Sequence, residues 1–164
     1  MGCMAIDPGI ANLASQFGVC EYVIGKALED LTEEEAWRHP DDVNPMIWLL
    51  GHVTHYRTTL LSRLGDDVEA PWAEQFARGC DPKSLESGPS FKEVLDAWEK
   101  SKEALKARFE TLTDEELSAA APGRVPMEDK SMRGMIAFMA FHESYHAGQI
   151  AYLAKWLGKW SVVG

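Results

Sequence analysis

The sequence contains few cysteines and few basic residues, and each shortage excludes a class of protein. Its three cysteines are Cys3, Cys20 and Cys80. An odd number without C-x-x-C spacing forms neither a disulfide framework nor a zinc ribbon, which predicts a reduced, cytoplasmic setting. Lysine and arginine number 16 against 26 aspartates and glutamates, so the formal net charge is −10. Because phosphate backbones and anionic lipid surfaces repel such a chain, we expect it to bind neither nucleic acid nor membranes.

Three other patterns are missing. No apolar stretch approaches the roughly 18 residues that a membrane-spanning helix requires. The N-terminus has no basic segment followed by an apolar run, so no signal peptide is expected. No segment alternates apolar and polar residues as a half-buried β-strand does. The missing strand pattern predicts an all-α fold. Since the chain has 164 residues and 46% of them are hydrophobic, we predict one domain over residues 1–164. Residues 1–8 are expected to form a flexible lead-in.

Helical periodicity, by contrast, is strong. Apolar residues recur at steps of three and four in four segments, which predict helices at about 10–30, 45–64, 91–112 and 131–157. The intervening residues 65–90 show no such period and contain Pro71, Pro82 and Pro89. Together these features predict a four-helix bundle with a long crossover loop between its second and third helices.

Local signals place the ends of these helices. Residues 32–35 and 90–93 have the spacing of capping boxes, which begin a helix. Asn44 is a favourable N-cap, and Pro45 after it suits the first helical position. Gly65 has the residue type of a C-terminal cap. We therefore expect the second helix to begin at Pro45 and to end before Gly65.

The segment from His142 to Gln149, HESYHAGQ, carries the strongest chemical signal. Histidines four apart on a helix project from the same face, so His142 and His146 can reach one metal ion. H-E-x-x-H is also the signature of zinc peptidases, in which Glu143 would be the general base. Such peptidases need a further ligand after the motif, and no His, Asp, Glu or Cys follows His146 in this sequence. Either the segment forms no metal site, or its third ligand lies upstream.

His52 is the upstream candidate, because it lies on the apolar seam of the second helix, as the two motif histidines do on the last. Gly51 before it would let a neighbouring backbone approach closely. His55 lies off that seam and is the fallback, while His39 lies in a polar loop and is expected to be exposed. Three seam histidines need either several hydrogen-bonding partners or one metal ion, and the residues alone leave both interpretations open.

Residues 44–52 (NPMIWLLGH) and 142–149 (HESYHAGQ) resemble motifs of the DinB superfamily, which is also grouped with YfiT-like metal-dependent hydrolases. The resemblance covers about residues 10–158. In that family one histidine from the second helix and two from the last bind a divalent metal. The resemblance therefore implies a site for zinc, nickel, iron or manganese with three ligands: His52, His142 and His146. Some members are thiol transferases that use low-molecular-weight thiols, one branch is a thiol-dependent isomerase, and members often form homodimers.

These observations predict a metal-dependent transferase or hydrolase that activates a thiol or a water and acts on a small molecule. Glu143, Tyr56 and Gln149 are the candidate catalytic or ligand-orienting residues. For Glu143 the alternative is a surface or interhelix ion pair, and for the other two it is plain core packing. A low-molecular-weight thiol is the expected co-substrate.

Two other functions are also compatible with the sequence. One is a non-catalytic metal- or ligand-binding protein of a stress response, and the other is the zinc peptidase. A pocket over the metal would favour the enzyme, and we expect Trp72 and Phe76 of the crossover loop to form its wall. Tryptophans near the predicted helix ends leave room for an apolar patch, and a homodimer is expected. They are Trp37, Trp48, Trp156 and Trp160.

Overall fold

The computed structural model describes residues 6–70, 72–82, 85 and 88–160. Residues 1–5 of the predicted lead-in lie outside this part of the chain. Within it there are six α-helices and a 3-10 turn, Ala73–Phe76, and no strand beyond an isolated bridge between Ala120 and Ser131. The α-helices are α1 (Ala11–Leu28), α2 (Glu33–Trp37), α3 (Met46–Arg63), α4 (Phe91–Phe109), α5 (Asp114–Ser118) and α6 (Met132–Trp156).

Four long helices form the bundle. Helix α1 packs along α6, and α3 packs against both α4 and α6. The short helix α2 packs on α3 and α4, and the short helix α5 packs on α6. Each long helix begins and ends within three residues of its predicted position. The prediction of an all-α four-helix bundle is confirmed.

The apolar core is divided into two clusters at opposite ends of the bundle. One joins the C-terminal halves of α1 and α6 to the N-terminal halves of α3 and α4. The other joins the opposite halves of the same helices. Between them, at mid-height, the interior contains the buried polar residues His52, Arg57, Glu143 and His146. The bundle thus encloses these two charged residues and two histidines in one layer, with apolar packing above and below.

The N-terminal caps form as predicted, with one correction. Both capping boxes, at residues 32–35 and 90–93, are complete. For α3, however, Pro45 rather than Asn44 is the N-cap, with φ −64° and ψ 157°. Its φ suits a helix, but its extended ψ leaves it outside the first turn, so α3 begins at Met46.

Gly65 ends α3 as predicted. Its φ of +89° lies in the left-handed region, where residues with a side chain are strained. The Gly65 N–H donates to Ser62 O at 3.1 Å, and the Asp66 N–H donates to Leu61 O at 3.0 Å. These two bonds are those of a Schellman motif. The chain is thereby turned out of α3 into the crossover loop.

The crossover loop packs back onto α3. Its 3-10 turn, Ala73–Phe76, contacts that helix. Phe76 is 0% exposed, and the Trp72 ring packs edge-on against it with centroids 5.1 Å apart. The loop is therefore anchored beside the polar layer, where it can contribute to a site.

The exposed apolar surface differs from the predicted one. Trp48 belongs to the core at 6% exposure, which corrects the expectation that it contributes to a surface patch. Exposed apolar side chains lie along α1 and α6: Val19, Tyr22, Phe141, Tyr145, Tyr152 and Trp156. A groove of about 510 Å³ runs between these two helices. The homodimer stays a prediction, which sedimentation equilibrium would check.

Among the described helices, none combines the length and the apolar character that crossing a bilayer requires.

Candidate metal centre

Three histidines from two helices meet in the middle of the bundle. His52 lies at the middle of α3, and His142 and His146 lie one turn apart on α6. Their ring centroids are 4.6 to 5.2 Å apart. One nitrogen of each ring lies within 4.8 Å of one nitrogen of each of the others. The structure thus brings together the three side chains that were predicted as ligands.

A backbone carbonyl of the crossover loop orients His52. The ring donates its Nδ1 hydrogen to Phe76 O over 2.6 Å. Because a carbonyl oxygen only accepts, Nδ1 holds the proton and Nε2 keeps a free lone pair. Trp48 stacks on the same ring, with centroids 4.6 Å apart and planes 18° from parallel. His52 is therefore fixed in tautomer and in orientation.

The other two histidines are held by residues that the sequence had singled out. His146 donates its Nδ1 hydrogen to Gln149 Oε1 at 2.7 Å, which leaves its Nε2 free. His142 makes no hydrogen bond with the described residues, and its ring packs on Tyr56 with centroids 4.3 Å apart. Gln149 and Tyr56 thus both contact histidines of the group, the first by a hydrogen bond and the second by ring packing.

Burial favours the neutral form of all three imidazoles. Burial lowers the pKa of His52 to about 4, and the hydrogen bond to Phe76 opposes that shift only in part. Burial and the two neighbouring imidazoles lower the pKa of His142 to about 3. Burial also lowers the pKa of His146. Because the neutral imidazole is the form that binds metals, these nitrogens suit a divalent first-row cation, and the group could hold a metal ion.

A cavity of about 800 Å³ opens over the three histidines. Its wall includes four aromatic rings, those of Trp48, Tyr56, Phe138 and Tyr145. Polar groups come from Asn44, Gln149, Arg78 and Arg124. This volume is in the range of small-molecule sites, which are lined by aromatic side chains with a few polar groups. A molecule of that size therefore has room beside the histidines.

The crossover loop contributes to this cavity, but not through the predicted residues. Arg78 and Gly79 line the wall, whereas Trp72 and Phe76 do not. Phe76 is buried, and its contribution is the carbonyl group that orients His52. The loop thus supplies both a wall and a fixed histidine.

Comparison with known proteins agrees with this geometry. The family model of the DinB superfamily matches residues 17–150, a range that includes all three histidines. The chain belongs to the DinB superfamily. Its fold is similar to a crystal structure of a conserved protein from Enterococcus faecalis, with a TM-score of 0.66 at 16% identity, covering 94% of this chain and 100% of the other. No curated protein gave a significant match.

Glu143 of this DinB-superfamily bundle lies in a buried ion pair. Its two oxygens accept from Arg57 Nε at 2.7 Å and from Nη2 at 2.6 Å, and Arg57 Nη1 donates to Glu21 at 2.8 Å. Arg57 and Glu143 are each 2% exposed. Burial raises the pKa of Glu143, and the Arg57 charge opposes that rise. The sequence left two roles open for Glu143, and this placement is that of an interhelix ion pair.

The remaining histidines stay outside the group. His55 is half-buried beside Tyr56, with ring centroids 5.2 Å apart, and it does not join the three-histidine group. His39 is exposed in its loop, as expected, with Nδ1 2.7 Å from Pro40 O. The fallback ligand is therefore not needed.

Four features of the site in this DinB-superfamily chain were not predicted from the sequence. Arg57 had a signal, because it lies four residues after Val53 and three before Leu60 on a buried face, where a charge needs a partner. Arg78 and Arg124 lie in loops without periodicity. The role of the Phe76 carbonyl could not be predicted, since every residue has a carbonyl group.

Gly51 is required by the side chain that covers it. A Cβ atom at this position would lie 2.3 Å from Phe76 Cδ1. The expectation of a neighbouring backbone is therefore corrected, because the close neighbour is an aromatic ring. That ring belongs to the residue whose carbonyl orients His52, so packing at Gly51 and orientation of the ligand are linked.

We expect Gly51→Ala to lower both stability and metal affinity. The added methyl group must displace the fully buried Phe76 ring, which costs about 1–3 kcal/mol. Movement of its carbonyl weakens the support of His52 and lowers metal affinity by roughly 10-fold or more. Urea denaturation and a metal titration would measure the two effects.

Gly25→Ala is the matched control for that substitution. Gly25 also lies within a helix, but a Cβ there meets nothing within 4 Å. Alanine at this position is expected to stabilise the protein by about 0.4–1 kcal/mol and to leave metal binding unchanged. Unchanged stability and affinity in Gly51→Ala would contradict the link between Phe76 and His52.

Proposed function

We propose that this protein is a metal-dependent enzyme that activates a thiol or a water for reaction with a small molecule, as a thiol transferase or a hydrolase. The observation that carries the proposal is the cavity of about 800 Å³ directly over three neutral histidines. Structural zinc sites are closed by four protein ligands, whereas catalytic sites use three and keep a position open. His52, His142 and His146 would hold the cation, which when bound supplies Lewis-acid chemistry to a thiol or water.

Tyr56 is the residue of this chain best placed to act on a bound molecule. It lines the cavity, and its ring contacts both His52 and His142. Its hydroxyl makes no hydrogen bond with the described residues, so it is free to donate to a substrate oxygen. Gln149 and the Phe76 carbonyl keep the histidines in place, and the Trp48 and Phe138 rings restrict water. The proposed substrate is a small molecule, with a low-molecular-weight thiol as co-substrate.

The zinc peptidase is not supported by this arrangement. Its general base would be Glu143, but both oxygens of that carboxylate accept from Arg57 in the core. Glu143 is not among the residues that line the cavity. The described residues also contain no strand that could pair with an extended peptide.

A turnover assay on protein loaded separately with zinc, nickel, iron(II) or manganese tests the proposal. The assay would follow transfer of low-molecular-weight thiols to an electrophilic dye, and hydrolysis of an activated ester. With at least one metal we expect turnover that Tyr56→Phe lowers by about 100-fold, the lower range for loss of a proton donor. The variant keeps the ring that packs on His142, so its metal content should equal that of the wild type.

His55→Ala is the control, because His55 is near Tyr56 but outside the three-histidine group. It should retain both metal and turnover. Metal binding without turnover under any of these conditions would favour the non-catalytic metal- or ligand-binding protein. Equal turnover in Tyr56→Phe would exclude the role of the hydroxyl.

A further inference from the structure

The cavity over the histidines is positively charged although the chain is strongly acidic. The sequence has 26 acidic against 16 basic residues. Among the described residues that line the cavity there are two arginines, Arg78 and Arg124, and no aspartate or glutamate. The local balance of charge is therefore opposite in sign to that of the whole molecule.

Neither arginine is used by the fold. Within residues 6–70, 72–82, 85 and 88–160, neither Arg78 nor Arg124 makes a hydrogen bond or an ion pair, and both are exposed. Three other arginines, Arg57, Arg108 and Arg133, each bind a carboxylate of this chain. The remaining two contact other groups of the fold: Arg63 donates to Met135 Sδ, and Arg38 packs over the Trp156 ring. In a chain with surplus carboxylates, two guanidinium groups that line the same cavity without a carboxylate partner point to a ligand.

The crossover loop holds Arg78 at the cavity. The Cys80 N–H donates to Ala77 O at 3.2 Å, and Gly79 has a φ of +92°. These are features of a type II turn, in which glycine takes the third position and Arg78 the second. The turn follows directly after Phe76, the residue that fixes His52. Arg78 is thus held by the same segment that orients a ligand.

The loop between α5 and α6 places Arg124 at the same cavity. Its ends are tied by two backbone bonds, Ala121 N–H to Lys130 O and Met132 N–H to Ala119 O, each 2.9 Å long. Val125, next to Arg124, is 4% exposed. The loop is therefore closed at its base and anchored in the core beside the arginine.

We propose that Arg78 and Arg124 form an anion-binding subsite in this cavity, which holds a carboxylate of the substrate or co-substrate while its reacting end faces the three histidines. Guanidinium groups suit this ligand because their planar N–H pairs match the two oxygens of a carboxylate. The local positive charge also attracts anions that the rest of the surface repels. The inference rests on the proposed function, since it names the charge class of the molecule acted on.

Isothermal titration calorimetry with succinate and its neutral analogue succinamide tests the subsite. Titrations would use zinc-loaded and metal-free protein, with zinc content measured by elemental analysis. We expect succinate to bind more tightly than succinamide in both forms. Arg78→Met and Arg124→Met should each weaken succinate binding about 10-fold, and the double variant should remove its advantage over succinamide.

Arg38→Met is the matched control, because Arg38 is exposed, lies outside the cavity and packs over the Trp156 ring. It should leave succinate affinity within about twofold, since its charge is not in the subsite. Equal affinities for succinate and succinamide, or unchanged succinate binding in the double variant, would overturn the subsite. If the protein bound no zinc but still bound succinate through the two arginines, the proposed function would be refuted and the subsite would stand.

Discussion

Replacing any one of His52, His142 and His146 with alanine is expected to lower metal affinity by more than about 100-fold, since even residues that only support a ligand contribute 10- to 100-fold. Among the described residues no further histidine belongs to the group, so none is placed to substitute for a lost one. Elemental analysis of untagged protein after reconstitution would measure the effect. The wild type should retain near-stoichiometric metal, and each variant little.

Thermal unfolding provides a second measurement of the same prediction. Metal at 100 times its dissociation constant stabilises the fold by about 2.7 kcal/mol. For a domain of this size, that raises Tm by roughly 5–10 °C. The rise should occur in the wild type and in His55→Ala and be absent from the three variants. A wild-type protein that binds no metal would leave three core histidines in an interaction bundle and would exclude the catalytic proposal.

The sequence predicted the helices well because their signals are local. The apolar period and the boxes at 32–35 and 90–93 depend on residues within one or two turns, so nothing distant could change them. The error at Asn44 and Pro45 has the same origin. Both residues suit the start of a helix, and only the backbone conformation decides which of them is the cap.

The candidate site was predictable where residue type carries the signal. Histidine is rare on an apolar seam, so His52, His142 and His146 could be grouped from the sequence alone. The orientation of His52 could not be predicted, because its partner is a carbonyl group 24 residues away. The role of Glu143 was also undetermined, since its partner Arg57 is 86 residues away on another helix. Tertiary contacts of this kind depend on how helices pair, which a local pattern does not specify.

Breaking the buried ion pair is expected to have the largest effect on stability. Arg57→Met would leave the Glu143 carboxylate, 2% exposed, without its partner in the core. Removing one member of such a pair costs about 3–5 kcal/mol, a large part of the 5–15 kcal/mol that stabilises a typical domain. Glu143→Gln should also destabilise the fold, because Arg57 would lose its bidentate acceptor. Urea denaturation followed by circular dichroism would measure both.

The double variant Arg57→Met/Glu143→Met distinguishes lost pairing from lost packing. With both charges removed, it should be more stable than the sum of the single changes predicts. Glu21, whose side chain is 27% exposed, can return to water without its partner. Lys92→Met, which breaks an exposed pair with Asp96, should change stability by no more than about 0.5 kcal/mol. If Glu143→Gln instead kept full stability and lost turnover, Glu143 would act in the reaction, and its pairing with Arg57 would tune a base rather than hold α3 and α6 together.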